Sequence, residues 1–508
     1  MNIPFEKIFE ADLIHPLERK SLLECQKNPL YDWLANKSAT LKKRLNDHAD
    51  ASLELFPVTK STATRLNLLY ETALKRLDCR ERYPLFMKFD YAIKFEISGS
   101  DLNSYVITIS DVVDDLEDEE ILALFGQALG RIKAGHVHNL QFLKILEEGV
   151  GALPLVGAGA QKLLLSTFAE WLIAAQFSMD RAAIFTCGSE RAVASLLMKQ
   201  NGEPTLNLTK ILSTPVERPQ DLGIYFIWLI QSLPVFGAIE RIRELRKWIR
   251  SNDFKQDYPG LYFRALLEDE EADEKDFPQL EMHRAAAANN INAVTALAEK
   301  YIDGEDVPPS RFMAQELFKA ASFSGDARSM YIFAAMLENF SEGNAKTIRR
   351  LREAAALRGL EAAKKKCGGL PKEQFDPAVE NVCNEFAALY ENSTVCKTEF
   401  DSAFREKLRS AFWMNPGEKI FAAELFFDAN AVLGTVLGAS GIYGRLSPES
   451  LPFKFSWQDL KQAGLYRRQL RDDKNYFTVG TEPIYCVGEY MRGTMAELLI
   501  RIASNIIG

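Results

Sequence analysis

The stretch "FGQALGRIKAGHVH", residues 125–138, decides how the rest of the chain is read. Leu122, Phe125, Leu129 and Ile132 recur at helical spacing, and Asp118, Glu119 and Glu120 place acids at the positive end of the helix they predict. About 45 residues later "FAEWLIAAQFSMDRAAIFTCG" predicts a second helix, which leads into "SERAVASLLMKQNGE". Between the two lies the apolar run "GVGALPLVGAGAQKLLL" (149–165). Its uncharged part ends at Lys162, short of the roughly 20 residues that a membrane-spanning helix needs.

Length and composition bound the reading. At 508 residues, 47% hydrophobic and 26% charged, the chain is long enough for about three domains that each bury a core. A net charge of −9 with mixed signs lacks the basic face that nucleic acid requires. The seven cysteines (Cys25, Cys79, Cys187, Cys367, Cys383, Cys396 and Cys486) never form a CxxC pair. They read as free thiols in a reducing compartment. "MNIPFEKIFEADLIHP" has no apolar core of a signal peptide, and "GIYFIWLIQSLPVFGAI" (223–239) reads as a buried helix, so the expected location is cytoplasmic.

The run "LEDEEADEKDFPQ" (267–279) is linker chemistry and separates two sections. Upstream, "LFMKFDYAIKFEI" (85–97) and "SYVITIS" (104–110) predict one strand pair joined by the turn "SGSDLN". Downstream, the pairs Ala285-Ala286, Ala320-Ala321 and Ala354-Ala355 recur at spacings of 35 and 34 residues. Each is followed by the same step, to Asn290, Gly325 and Gly359. A period in the mid-thirties with helix–turn–helix text marks a helical solenoid. From about Asp376 the text is first helical, then strand-like at "ANAVLGTVLGASGIYGRL" and "PFKFSWQDLKQAGLYRR". It closes on an amphipathic helix in "GEYMRGTMAELLIRIASNII".

These motifs resemble known families. "LFGQALGRIKAGH" followed by "QFSMDRAA" and "SLLMK" is similar to the metallopeptidase family 48, which contains HtpX, BepA and the CAAX prenyl protease. That family writes G-H-E-L-G-H-I-x-x-G-H, a helical hairpin, then E-x-S-A-D-R-A. It places its edge strand where "SYVITIS" stands. Ala293, Leu297, Tyr301, Gly304, Val307, Ala314 and Phe318, with the alanine pairs, resemble SEL-one-like repeats, cousins of the tetratricopeptide repeat. "GASGIYGRLS…FKFSWQDL" resembles small modules of pleckstrin-homology type. The fold implied is α+β and mainly α: a zincin-like helical domain with a small sheet, a short α-solenoid and a C-terminal mixed module. Its expected boundaries are 1–266, an acidic linker at 267–279, repeats at 280–370 and the last module at 376–508.

Two histidines at i and i+4 hold zinc in the family, and the glutamate beside the first is the general base. Residue by residue, the resemblance puts the first histidine at Gln127, the base at Ala128, the second histidine at Arg131 and the third ligand at Gln176. None of the four can serve: amides bind zinc poorly, alanine carries no proton, and arginine brings a fixed positive charge. Gly130, Gly135, His136, Asp180 and Arg181 keep the family's framework. His15, His48, His138 and His283 supply no replacement set.

The expectation is therefore a bacterial pseudopeptidase: no enzyme, no zinc, and a protein-binding adaptor or regulator acting through its repeats and vestigial cleft. An Arg131–Asp180 salt bridge would replace the metal as the clip between the two helices. Protein partners are expected, nucleic acid is not, and membrane association is less favoured. The alternative left open is an active peptidase or other hydrolase with a rebuilt site, although the sequence holds no G-x-S-x-G, P-loop or dinucleotide fingerprint.

Overall fold

The computed structural model describes residues 4–27, 31, 55–99, 104–140, 158–200, 238–269, 277, 279–339, 345–369, 377–389, 401–428, 431–445, 450–469, 475–479, 482–484 and 494–507. His48, Cys396, Cys486, most of the acidic linker, and most of the apolar stretches at 149–165 and 223–239 lie outside them. The fold is α+β and mainly α, and the chain divides into two compact units, residues 5–280 and 281–508 with 1–4.

In the first unit a four-stranded sheet has the order β1 (Phe56–Pro57), β2 (Leu85–Lys88), β4 (Val106–Ser110), β3 (Phe95–Ser98). β2 runs parallel to β4, and the other pairings are antiparallel. The predicted single strand over 85–97 is thus two strands. The backbone N–H of Ala92 donates to the Asp90 carboxylate, and that of Asp90 donates to Asp111, a turn that interrupts the run. The expected edge position of 104–110 is also corrected. β4 lies inside the sheet, with Ile107, Thr108, Ile109 and Ser110 all buried, and among the described strands β3 is the edge on its side.

Among the described residues this unit also holds helices α1 (Glu10–Leu13), α2 (Pro16–Gln26), α3 (Thr64–Arg76), α4 (Asp118–Lys133), α5 (Ala158–Cys187), α6 (Glu190–Gln200), α7 (Asn252–Asp257) and α8 (Pro259–Leu267), with further helical runs at 136–140 and 238–249. α4 begins with a reciprocal capping box between Glu117 and Glu120. Glu120 also accepts from Ser195 Oγ (2.6 Å) and Lys199 Nζ (2.7 Å), which ties the start of α4 to α6. The crossing of α4 and α5 depends on two glycines. A Cβ on Gly126 would lie 2.6 Å from Ala183 Cα, and one on Gly130 would lie 2.4 Å from Ala182 Cβ. Helix backbones come this close only where side chains are absent.

The second unit starts with α9 (Leu280–Ala287), α10 (Ile291–Asp303), α11 (Arg311–Phe323), α12 (Ala327–Asn339), α13 (Ala345–Leu357) and α14 (Glu361–Lys366). α9, α11 and α13 each end the same way. The left-handed residues are Asn289, Gly325 and Gly359, and the following backbone N–H of Asn290, Asp326 and Leu360 returns to Ala285, Ala321 and Ala355. The recurring step therefore falls on Asn289 in the first instance. Asn290 instead caps α10 through its side chain.

After α15 (Pro377–Leu389) and α16 (Ser402–Ala411) come two antiparallel meanders. The first has the order β5 (Ile420–Asp428), β6 (Ala431–Gly438), β7 (Gly441–Arg445), β8 (Phe453–Ser456). The second joins β9 (Leu465–Gln469), β10 (Asn475–Val479) and β11 (Glu482–Ile484). α17 (Trp457–Ala463) lies between the sheets in sequence, and α18 (Thr494–Ile507) packs on α15. Phe421, Leu437, Ile442, Trp457, Leu498 and Ile502 share one core. α11 packs on this module: Arg445 sits 3.6 Å over the Phe323 ring, which stacks on Trp413.

Candidate functional site

Gln127 and Ala128 are buried on α4, and Gln176 and Asp180 lie one turn apart on α5. Gln127 Nε2 donates to Asp180 Oδ1 (3.0 Å), and its carbonyl oxygen accepts from Gln200 Nε2 (3.4 Å). Asp180 is held from the other side by Arg241, in the helical run 238–249. Arg241 Nε donates to Oδ2 at 2.7 Å and Nη2 to Oδ1 at 2.6 Å. This is a bidentate guanidinium–carboxylate pair in which the carboxylate is 1% exposed.

The expected Arg131–Asp180 bridge is not formed. Arg131 turns toward the sheet, with Nε 3.1 Å from Met179 Sδ and its guanidinium 4.8 Å from the Phe95 ring centre. Burial, with the Arg241 charge nearby, pushes its pKa down to about 10, so it keeps its charge at neutral pH. Arg181 takes no part in the pair either. It donates to Asp12 O (2.8 Å) and stacks on Trp248 at 4.2 Å.

His136 follows Gly135, a left-handed residue (φ 73°) that ends α4. Its Nε2 lies 2.8 Å from Glu18 Oε1 on α2, both groups buried, and its ring meets Trp171 edge-on. Ser178 Oγ also donates to Glu18 and accepts from the His15 backbone N–H (2.9 Å). His15 Nδ1 accepts from Leu17 N, so Nε2 carries the proton and donates to Glu244 (3.2 Å). Sequence reasoning missed Arg241, Glu18, Ser178 and His15. The only available signal for Arg241 was the run "ERIRELRKWIR", which reads as a solvated face.

These donors do not fit a zinc ion. Where the resemblance puts the three ligands stand two amides, of which Gln127 is already bonded at both ends, and a guanidinium, and both oxygens of the Asp180 carboxylate are taken by Arg241 and Gln127. Beside Arg131 a cavity of about 10 Å³, lined by His136, Trp171, Ala175, Gln176 and Met179, is at the lower limit for one water. Among the described residues no three His, Cys, Asp or Glu side chains are grouped to hold a metal. Burial pushes the Cys187 thiol up to about 12, far from a reactive thiolate.

Part of this chain is similar to a curated protein, and the likeness supports a peptidase-like fold. Over 214 residues the chain is 26% identical to the plastoglobule-localized metallopeptidase 48, chloroplastic, of Arabidopsis thaliana, a match covering 39% of this chain. The chain spans about 60% of that relative's length. No family model and no solved structure matches. This match corrects one expectation: against the expected non-enzyme, a relative named a metallopeptidase points to a peptidase. Among the described residues no helix is long and apolar enough to cross a membrane.

Proposed function

We propose that this metallopeptidase-like chain binds polypeptides, with the peptidase-like body and the helical repeats as its docking surfaces, and that it does so without zinc. The observation that carries the reading is the Gln127–Asp180–Arg241 cluster, which fills with hydrogen-bonded protein groups the place where the resemblance puts a metal. β3 supports it as an exposed strand edge beside Arg131, the kind of edge an extended peptide can join. The helix pairs α10–α11 and α12–α13, which end at Gly325 and Gly359, together with α9, which ends at Asn289, are the proposed SEL-one-like repeats. The two meanders followed by α18 support the pleckstrin-homology-type reading of the last module. A cytoplasmic location and protein partners belong to the same proposal.

A second reading, peptide-bond hydrolysis from a rebuilt site, is favoured by the name of the relative. Fluorescein-labelled, unfolded casein separates the two. Retention by the full chain, read as anisotropy, is the expected result, and no retention contradicts polypeptide binding. Cleavage that survives a chelator supports the rebuilt site. Chelator-sensitive cleavage contradicts the metal-free reading.

A further inference from the structure

Polar groups from three elements of the first unit meet at one small space. Arg131 on α4, Trp171 and Gln176 on α5, and His136 in the run 136–140 all line the cavity of about 10 Å³. Trp171 is fully buried and His136 is 1% exposed. Neither Trp171 Nε1 nor His136 Nδ1 has a hydrogen-bond partner among the described residues. A buried indole N–H ordinarily finds an acceptor, because burial takes away the bond it made to water. Arg131 is short of acceptors too. Of the five N–H groups on a guanidinium, only Nε–H reaches a protein acceptor among the described residues, and that is the weak thioether of Met179.

The charge of Arg131 is unmatched as well. It makes no ion pair among the described residues, and the charged group that acts on it, Arg241, is itself a cation. The acids on α5 and α2 are engaged elsewhere, Asp180 by Arg241 and Gln127, Glu18 by His136 and Ser178. A charge drawn out of water is costly without a counter-charge. Size then narrows the choice of guest. About 10 Å³ takes one atom-sized guest and is far too little for a carboxylate, a phosphate or a peptide group. Water and a halide both fit. Trp171 Nε1 and every nitrogen of Arg131 can only donate, so the guest must accept from them, and only the halide also supplies the missing negative charge. His136 Nδ1 adds a further donor when the ring is protonated, the form in which Nε2 makes an ion pair with Glu18.

We propose that this cavity binds a single halide ion, chloride under ordinary conditions, against Arg131, Trp171 Nε1–H and the Gln176 amide. The inference rests on the metal-free reading, because the ion stands beside the arginine that occupies the place of a zinc-binding histidine in the resemblance. It joins α4 to α5 as a metal would, with the sign of the charge reversed. An ion that binds the folded chain alone raises its stability with concentration.

The test is the thermal transition of the first unit in the full chain, with sodium chloride or bromide exchanged at constant ionic strength for sodium gluconate, an anion too large for the cavity. Chloride and bromide should each raise the Tm by about 2–4 °C over gluconate. Arg131→Met should abolish that difference, whatever it does to the Tm in gluconate. Trp171→Phe keeps a ring and removes only the N–H donor, so the chloride concentration for half the rise should increase about fivefold; it decides the matter if Arg131→Met does not fold. Arg349→Met, at an 80% exposed side chain of the second unit, should leave the difference whole. Chloride NMR reads binding without any variant: the line should broaden in the presence of the unchanged chain and narrow again when bromide competes. Equal Tm values in all three salts, with no broadening, overturn the halide site. A chloride effect that the folded Arg131→Met variant retains, or that Trp171→Phe leaves unmoved, overturns its location. Either result leaves the metal-free reading standing where the same sample holds no zinc, and one zinc per chain overturns both.

Discussion

Asp180 accepts Arg241 Nε and Nη2 at 2.7 and 2.6 Å, which makes a residue of the run 238–249 the partner of the acid on α5. The cation at this acid is thus covalently part of the chain and its geometry is fixed by a planar fork, whereas Arg131 is spent on Phe95 and Met179.

This arrangement orders two substitutions. Arg241→Ala leaves a buried carboxylate unpaired and should cost about 3–5 kcal/mol. Arg131→Ala removes a cation–π contact and should cost about 1 kcal/mol. Urea unfolding of the first unit's transition measures both. A larger loss for Arg131 would restore the bridge that the geometry denies.

Gly126→Ala pits helix propensity against contact. Propensity favours alanine by roughly 1 kcal/mol. The added methyl would sit 2.1 Å from Thr186 Oγ1 and 2.6 Å from Ala183 Cα, and the backbone contact cannot swing away. Overpacking of this kind costs about 1–3 kcal/mol or more, so net destabilisation is expected in the same unfolding experiment.

Gly359→Ala isolates backbone strain, because φ is +95° and nothing lies within 4 Å of the added Cβ. A loss of about 1 kcal/mol in the second unit is expected, read from its thermal transition. An unchanged transition would mean that the helix end at Gly359 is not left-handed.

Burial, opposed by a hydrogen bond from Gly260 N, pushes Glu6 up from 4.5 to about 7. The folded chain keeps this proton where the unfolded chain has lost it. The contribution to stability is full below about pH 4.5 and is lost as pH rises through about 7. Between pH 5 and 8 the Tm of Glu6→Gln should therefore fall less than that of the unchanged chain. Parallel curves would place Glu6 in water.

How much was legible in the sequence depended on whether a residue's role is local. α4 was readable because Leu122, Phe125, Leu129 and Ile132 write a helical stripe, whereas the close crossing at Gly126 and Gly130 emerges only from the packing. The alanine pairs marked three similar helix ends, although Asn289 shows that the left-handed position can move by one residue. The break inside 85–97 was hidden because Asp90 bonds to Asp111, a partner no spacing rule supplies. β5, "IFAAELFFD", lacks clean alternation and was passed over. At the site, the residue types at the positions where the resemblance puts ligands and base, Gln127, Ala128, Arg131 and Gln176, could be read directly. The partners Arg241 and Glu18 lie 61 and 118 residues away from the groups they hold and depend on packing alone.

The most direct test of the account is the zinc content of the purified full chain, measured by elemental analysis after dialysis against buffer containing zinc. The account expects far less than one zinc per chain, with a Tm that a chelator does not change. One zinc per chain, with a Tm that drops on chelation, would mean that Asp180 and its neighbours hold a metal after all, and would contradict it.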